Sequence, residues 1–190
     1  NAGHSGAIGH HAMLAATNDM VGMCATAAGS MVAPTFASQG RLGTNPISIA
    51  APARNEPPLL FDAATSAIAG NKIPLANRVG ATLLPGWISD QSGTPIMEET
   101  PPKQRGLYHH LPLGGNKEGG SHKGYGFALM SEILSTMLSG FLPTMLTGYP
   151  SISSGCHYFA AYNIEAFTDL EEFKDNMDRM LKMLRETKAA

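Results

Sequence analysis

The sequence predicts a mixed fold of strands and helices, α/β in content and α+β in arrangement, from three observations. Four strand-like runs are joined by stretches too poor in helix to spell repeated strand–helix–strand units. The Gly-x-Gly-x-x-Gly turn that opens a doubly wound dinucleotide fold is absent, as is the P-loop pattern. The clearest helical periodicity falls at the end of the chain, not between strands.

The elements follow in order. Residues 6–18, rich in Ala and Met, read as a helix. Residues 20–27, 47–51 and 59–62 are short apolar runs bounded by turn residues, and read as strands. Residues 74–120 are dominated by turn signals: Pro85-Gly86, Ser92-Gly93, Pro101-Pro102 and Gly114-Gly115. Residues 125–138 read as a buried helix and residues 156–164 as a further strand. In the last helix Phe173, Met177, Met180, Leu181 and Leu184 repeat on one face, with Thr168 and Glu171 as a capping box before it. The expected division is a core domain over residues 1–167 and an amphipathic helix over 168–190.

Composition narrows the function. With 190 residues the chain has room for one domain with an appended arm, and only 15% of its residues are charged. Of its 28 charges, twelve lie beyond residue 164. Up to residue 53 only Asp19 and Arg41 are charged, so the early chain is expected to be buried. A net charge of -2 gives no electrostatic case for nucleic acid. The apolar stretch 124–150 is interrupted by Glu132, Gly140 and Pro143, which argues against a membrane span. Two cysteines, Cys24 and Cys156, make no disulfide scaffold, and a cytoplasmic setting is expected. No metal site is expected, because the adjacent pairs His10-His11 and His109-His110 cannot both face one ion.

Three positions invite chemistry. His4 lies in the glycine-flanked loop Asn1-Ala2-Gly3-His4-Ser5-Gly6, where an accessible imidazole suits proton transfer near neutrality. It can equally cap the helix start. Asp62 ends an apolar run, where a carboxylate can accept from a ribose diol or cap the next turn. Lys123 sits in Gly119-Gly120-Ser121-His122-Lys123-Gly124 at a helix start, a place that attracts phosphate but also suits a plain solvated turn.

Five ordered blocks together resemble one family. They are Asn1-Ala2-Gly3-His4-Ser5-Gly6; Gly43-Thr44-Asn45-Pro46 with Ile49-Ala50-Ala51-Pro52; and Phe61-Asp62-Ala63-Ala64-Thr65-Ser66. The fourth is Pro85-Gly86-Trp87 with Asp90, Gly93 and Pro95. The fifth is Leu111-Pro112-Leu113-Gly114-Gly115 followed by Lys123-Gly124-Tyr125-Gly126. This pattern is similar to that of the malate/L-lactate dehydrogenase type 2 group, which includes ureidoglycolate and sulfolactate dehydrogenases. The resemblance runs from Asn1 to about Phe167.

The resemblance implies a non-Rossmann fold, a mostly antiparallel sheet flanked by helices, that binds NAD or NADP. It implies hydride transfer between a 2-hydroxy acid and its 2-oxo acid, with His4 as acid/base. It implies cofactor contacts from Ala28, Asn45, Asp62, Ala63, Ala64, Lys123 and Gly124, converging with His4 on one cleft, and it implies a homodimer. Ala63 departs from the family's Met, and residues 116–122 look like an insertion. The family's preceding Ser-His and Arg, which hold the substrate carboxylate, have no counterpart, so the sequence is expected to be a piece of a longer chain. Two other readings stand beside the dehydrogenase: a non-catalytic nucleotide-binding and dimerisation module, and a cyclic imino-acid reductase of the same fold.

Overall fold

The computed structural model of the protein describes residues 3–146 and 155–189. The chain runs α1 (Gly9–Ala16), β1 (Met20–Ala27), β2 (Ile47–Ala51), β3 (Leu59–Ala63), α2 (Lys72–Val79), β4 (Ile88–Ser89), β5 (His109–His110), α3 (Ser121–Glu132), β6 (Cys156–Asn163) and α4 (Leu170–Arg185). A π-helical turn, Ile133–Met137, prolongs α3. The result is the expected mixture of helices with antiparallel sheet. A four-stranded sheet has the order β3-β2-β1-β6, and β4 pairs antiparallel with β5, Ile88 facing His110. Among the described residues no helix is long and apolar enough to cross a membrane.

Two compact units are present. The first comprises Asn1–Gly6, Ala25–Ile47 and Ala63–Tyr158; the second comprises Ala7–Cys24, Ser48–Asp62 and Phe159–Ala190.

In the second unit, Ile8, Ala12 and Ala16 of the α1 segment pack on Cys24 and Ala50. The helix lies so close to β1 that a Cβ on Gly22 would stand 2.1 Å from the Ala12 carbonyl oxygen, which is why only glycine fits there. The turn after β2 is latched to α4. Asp178 accepts from the backbone N–H groups of Arg54, Asn55 and Glu56, and Arg54 pairs with Glu171 and Asp175. These latches are exposed, so they orient the helix more than they stabilise it. The cap of α4 is Asp169, whose carboxylate accepts from the Glu172 N–H at 2.8 Å. The expected Thr168–Glu171 box is therefore displaced by one residue, because Asp169 offers the stronger acceptor to the helix N-terminus.

In the first unit, Ile68, Ile73, Ala76, Leu83 and Ile88 form one core, with Trp87, Ile96 and Tyr108 against it. Val32, Leu42 and Ala128 form another. Helix α2 lies where turns were expected. Its Pro74 is the third helical residue, in the first turn, where a missing N–H leaves no hydrogen bond unmade.

Helix α3 corrects a second expectation. The polar residues of its second half are inside: Ser131 and Glu132, and Ser135 and Thr136 of the π-helical turn, are buried, and Glu132 is 0% exposed. Phe127, Met130, Ile133, Met137 and Leu138 face outward. Glu132 goes inside because it accepts from the Thr144 N–H and hydroxyl (2.8 Å for the latter), while Asn45 lies at 3.5 Å. A buried carboxyl with donors on both oxygens fixes the roll of the helix, and the apolar residues on the other face follow.

Candidate functional site

A cavity of about 510 Å³ opens in the first unit. Three segments wall it. The loop Gly3–Gly6 brings His4 and Ser5, the end of β1 brings Thr26 and Ala28, and the segment through β5 brings Arg105, Tyr108, His109 and His110. Thr44 and Asn71 also reach it. Its lining holds one guanidinium and three imidazoles but no Asp or Glu, so the field inside favours an anion.

His4 is exposed on this wall. The Gly6 backbone N–H donates to its Nδ1 at 2.9 Å. A backbone amide can only donate, so the neutral ring carries its hydrogen on Nε2. Gly6 makes the contact with a φ of 70°, a conformation that favours glycine.

His110 differs from His4. It is 4% exposed, lines the cavity, and its Nδ1 has no hydrogen-bond partner among the described residues. Burial pushes its pKa down to about 4, so the ring is neutral at physiological pH. A buried polar atom without a partner fits a ligand group that would supply one. The shift also has a consequence for stability. The unfolded ring takes up a proton near 6.5 and the folded ring near 4, so stability is lost as pH falls between those values. Urea titrations across that window are expected to steepen by up to about 1.4 kcal/mol per pH unit relative to a His110→Phe variant. Parallel curves for the two proteins would refute the assignment.

The other expected site residues are placed as follows. Ala28 joins His4 on the cavity wall. Asn45 does not reach it. At 0% exposure and a φ of 34°, its amide accepts from Ala28 N–H at 3.1 Å and donates to the Ala128 carbonyl at 3.1 Å. It acts on the wall only through Ala28. Asp62 belongs to the second unit, where its Oδ2 accepts from the Gly9 N–H at 2.7 Å; this bond is to the start of α1 and not to the turn after β3, and the carboxylate remains exposed. Ala63 and Ala64 follow it, half-buried. Lys123 is exposed in the first turn of α3, outside the cavity lining. Gly124 is buried, and a Cβ there would stand 2.4 Å from the Leu113 nitrogen, so it serves helix–loop packing. His4, Asp62 and Lys123 thus do not share this cavity.

The segment 116–122 closes on itself. Ser121 N–H donates to the Asn116 carbonyl at 2.9 Å and Gly119 N–H to the Asn116 side chain at 2.7 Å. A Cβ on Gly119 would meet the Gly114 carbonyl oxygen at 2.1 Å.

Sequence reasoning missed Arg105, Tyr108, His109 and His110 as wall residues. The adjacent histidines were a visible signal, but they were weighed only as metal ligands. Other cations are committed elsewhere: Arg54 pairs with Glu171 and Asp175, and Lys72 lies over the Trp87 ring at 5.2 Å. Arg41 donates to Gln39.

Comparison with known proteins gives a consistent answer. The family profile "Malate/L-lactate dehydrogenase" matches residues 1–190. A malate dehydrogenase of Pyrococcus abyssi is 39% identical over 99% of this chain and 52% of its own length. An L-sulfolactate dehydrogenase of Methanocaldococcus jannaschii is 33% identical over 100% of this chain and 53% of its own. Among solved structures, malate dehydrogenase from Entamoeba histolytica superposes with a TM-score of 0.86 at 36% identity, covering 98% of this chain and 54% of that one. The chain spans about half the length of the curated relatives it matches.

Proposed function

The chain belongs to the malate/L-lactate dehydrogenase family, and from that premise we propose that it carries the acid/base and part of the substrate pocket of a dehydrogenase interconverting a 2-hydroxy acid and its 2-oxo acid. The observation that carries this reading is His4 on the wall of a cavity whose described lining includes the Arg105 guanidinium and no carboxylate. The substrate would be of the malate, lactate, ureidoglycolate or sulfolactate kind.

A bound nicotinamide cofactor, NAD or NADP, supplies the hydride acceptor or donor. The residues of this chain have separate tasks. Arg105 pairs with the acid group of the substrate, a geometry its planar fork suits. His4 takes the hydroxyl proton during oxidation: the substrate O–H bond breaks and a ring N–H bond forms. The Gly6 contact belongs to the resting ring, since Nδ1 cannot hold both that amide and a new proton. For the cofactor, Ala63, Ala64 and Lys123 with the Gly124 turn of the first unit can supply contacts, and the Asp62 carboxylate, still exposed in the second unit, can accept from a ribose diol. Ala28, braced by Asn45, borders the ring site. The orphaned Nδ1 of His110 fits a bound ligand in the same wall. A non-Rossmann cofactor fold, a cytoplasmic setting and a homodimer complete the reading, and the outward apolar residues of α3 offer a face for a second copy.

The test follows nicotinamide absorbance with each of the four acids and both cofactors, on the protein that carries this sequence at the length of its relatives. Turnover is expected with at least one pair. Silence with every pair, together with no quenching of NADH or NADPH fluorescence, overturns the reading. Arg105→Ala is expected to raise the KM for the acid roughly 10- to 100-fold, with cofactor KM changed less than about twofold. An equal rise in both would assign Arg105 to the cofactor instead.

A further inference from the structure

Both residues flanking His4 are tied to one distant side chain. His157, at the start of β6, makes a 3.1 Å hydrogen bond with the Gly3 carbonyl oxygen through Nε2, and its Nδ1 lies 3.0 Å from the Thr26 hydroxyl. Thr26 is in turn 3.3 Å from the Ser5 hydroxyl. The loop is therefore held on one side of His4 by a direct contact and on the other by a relay of two hydroxyls. His157 itself is 131 residues from Thr26 in sequence, and sheet pairing of β1 with β6 brings them together.

The chemistry of these atoms sets a direction. A carbonyl oxygen can only accept, so His157 Nε2 donates to Gly3. In the neutral ring Nδ1 then accepts from Thr26, and Thr26, having used its hydrogen, accepts from Ser5. Ser5 lines the cavity. With its hydrogen given to Thr26, Ser5 can only accept from a ligand in the cavity. His4, the acid/base, is its immediate neighbour in the chain.

We propose that His157 is the positioning residue of the acid/base loop: it fixes His4 by pinning Gly3, and through Thr26 it orients the Ser5 hydroxyl as an acceptor toward substrate. This rests on the acid/base reading of His4 and deepens it. His157 touches neither substrate nor cofactor, so its removal acts on the chemical step and not on cofactor binding.

The experiment combines turnover, cofactor fluorescence and long-range proton–nitrogen imidazole spectra, for His157→Gln and Thr26→Val, each in the parent and in a His4→Ala background. Gln can reach the Gly3 carbonyl but loses the Thr26 contact, and Val removes the relay without touching His157. The expected result is a kcat lowered roughly 10- to 100-fold by either change, cofactor affinity held within about twofold, and no further loss when His4 is already alanine. The parent spectrum is expected to show His157 with its hydrogen on Nε2. An unchanged kcat in both variants, an equal loss with and without His4, or a hydrogen on Nδ1 alone overturns the proposal. If His4→Ala itself leaves turnover intact, the acid/base reading falls and this role falls with it. A normal His4→Ala loss with inert His157 and Thr26 variants removes this role alone.

Discussion

Replacing His4 with alanine is expected to lower kcat roughly 10²–10⁴-fold while NADH or NADPH binds within about twofold of the parent. The reasoning is local. His4 is exposed on the cavity wall and, among the described residues, its hydrogen bond is to a neighbour two residues away. Nothing in the core depends on it, so a fold defect would be a surprise, and the thermal midpoint should move little. The loss should appear in kcat and kcat/KM together, because proton transfer is realised only in the transition state. His4→Gln keeps a polar group of similar reach but cannot take a proton, and it should be nearly as slow as alanine. Full turnover in His4→Ala would refute the acid/base role of this residue. The measurement is steady-state nicotinamide absorbance beside fluorescence titration of the same samples.

Glu132→Ala should be the most destabilising single change in α3, by about 3–5 kcal/mol. Two donors of Thr144 and the Asn45 amide meet this carboxyl in a place with no water-exposed surface. Alanine removes the acceptor that these donors share and leaves a void, and a lost buried hydrogen bond costs about 1–3 kcal/mol. At this chain length that corresponds to a fall of roughly 10 °C in Tm. Glu132→Gln keeps one acceptor oxygen and much of the volume, so it should lose far less. Denaturant midpoints of the two variants separate the explanations: equal losses would mean that the acceptor geometry is not what holds the helix.

Much of the fold was legible. β1 and β2 coincide with the runs 20–27 and 47–51, and β3 and β6 differ from the expected runs by one residue at an end. Short apolar stretches bounded by turn residues carry their own signal. Helix α2 was not legible because Pro74 reads as a breaker until its place in the first turn is known. The orientation of α3 was hidden for a different reason. Its sequence is apolar enough to read as buried, and only Thr144 and Asn45, far along the chain, reveal that Glu132 must point inward.

The site divides in the same way. His4 and Ala28 were legible because the motif blocks are local. Arg105, His110 and His157 were not, since each gains its place from strand pairing or loop closure over long separations. Asn45 and Gly124 were legible as important positions but with a different task. One braces the backbone at Ala28 and the other permits α3 to touch Leu113.

The self-closing segment 116–122 has a consequence for how this chain tolerates change. Asn116 ties the far end of the segment back to its own beginning, and Gly119 lies against Gly114. These residues therefore form a detour whose exit coincides with its entrance. Lengthening or trimming that detour at exposed Lys117 and Glu118 leaves the first turn of α3 in register with Leu113. Such a spot is a natural place for evolution, or an engineer, to splice in a foreign peptide without disturbing the neighbouring wall.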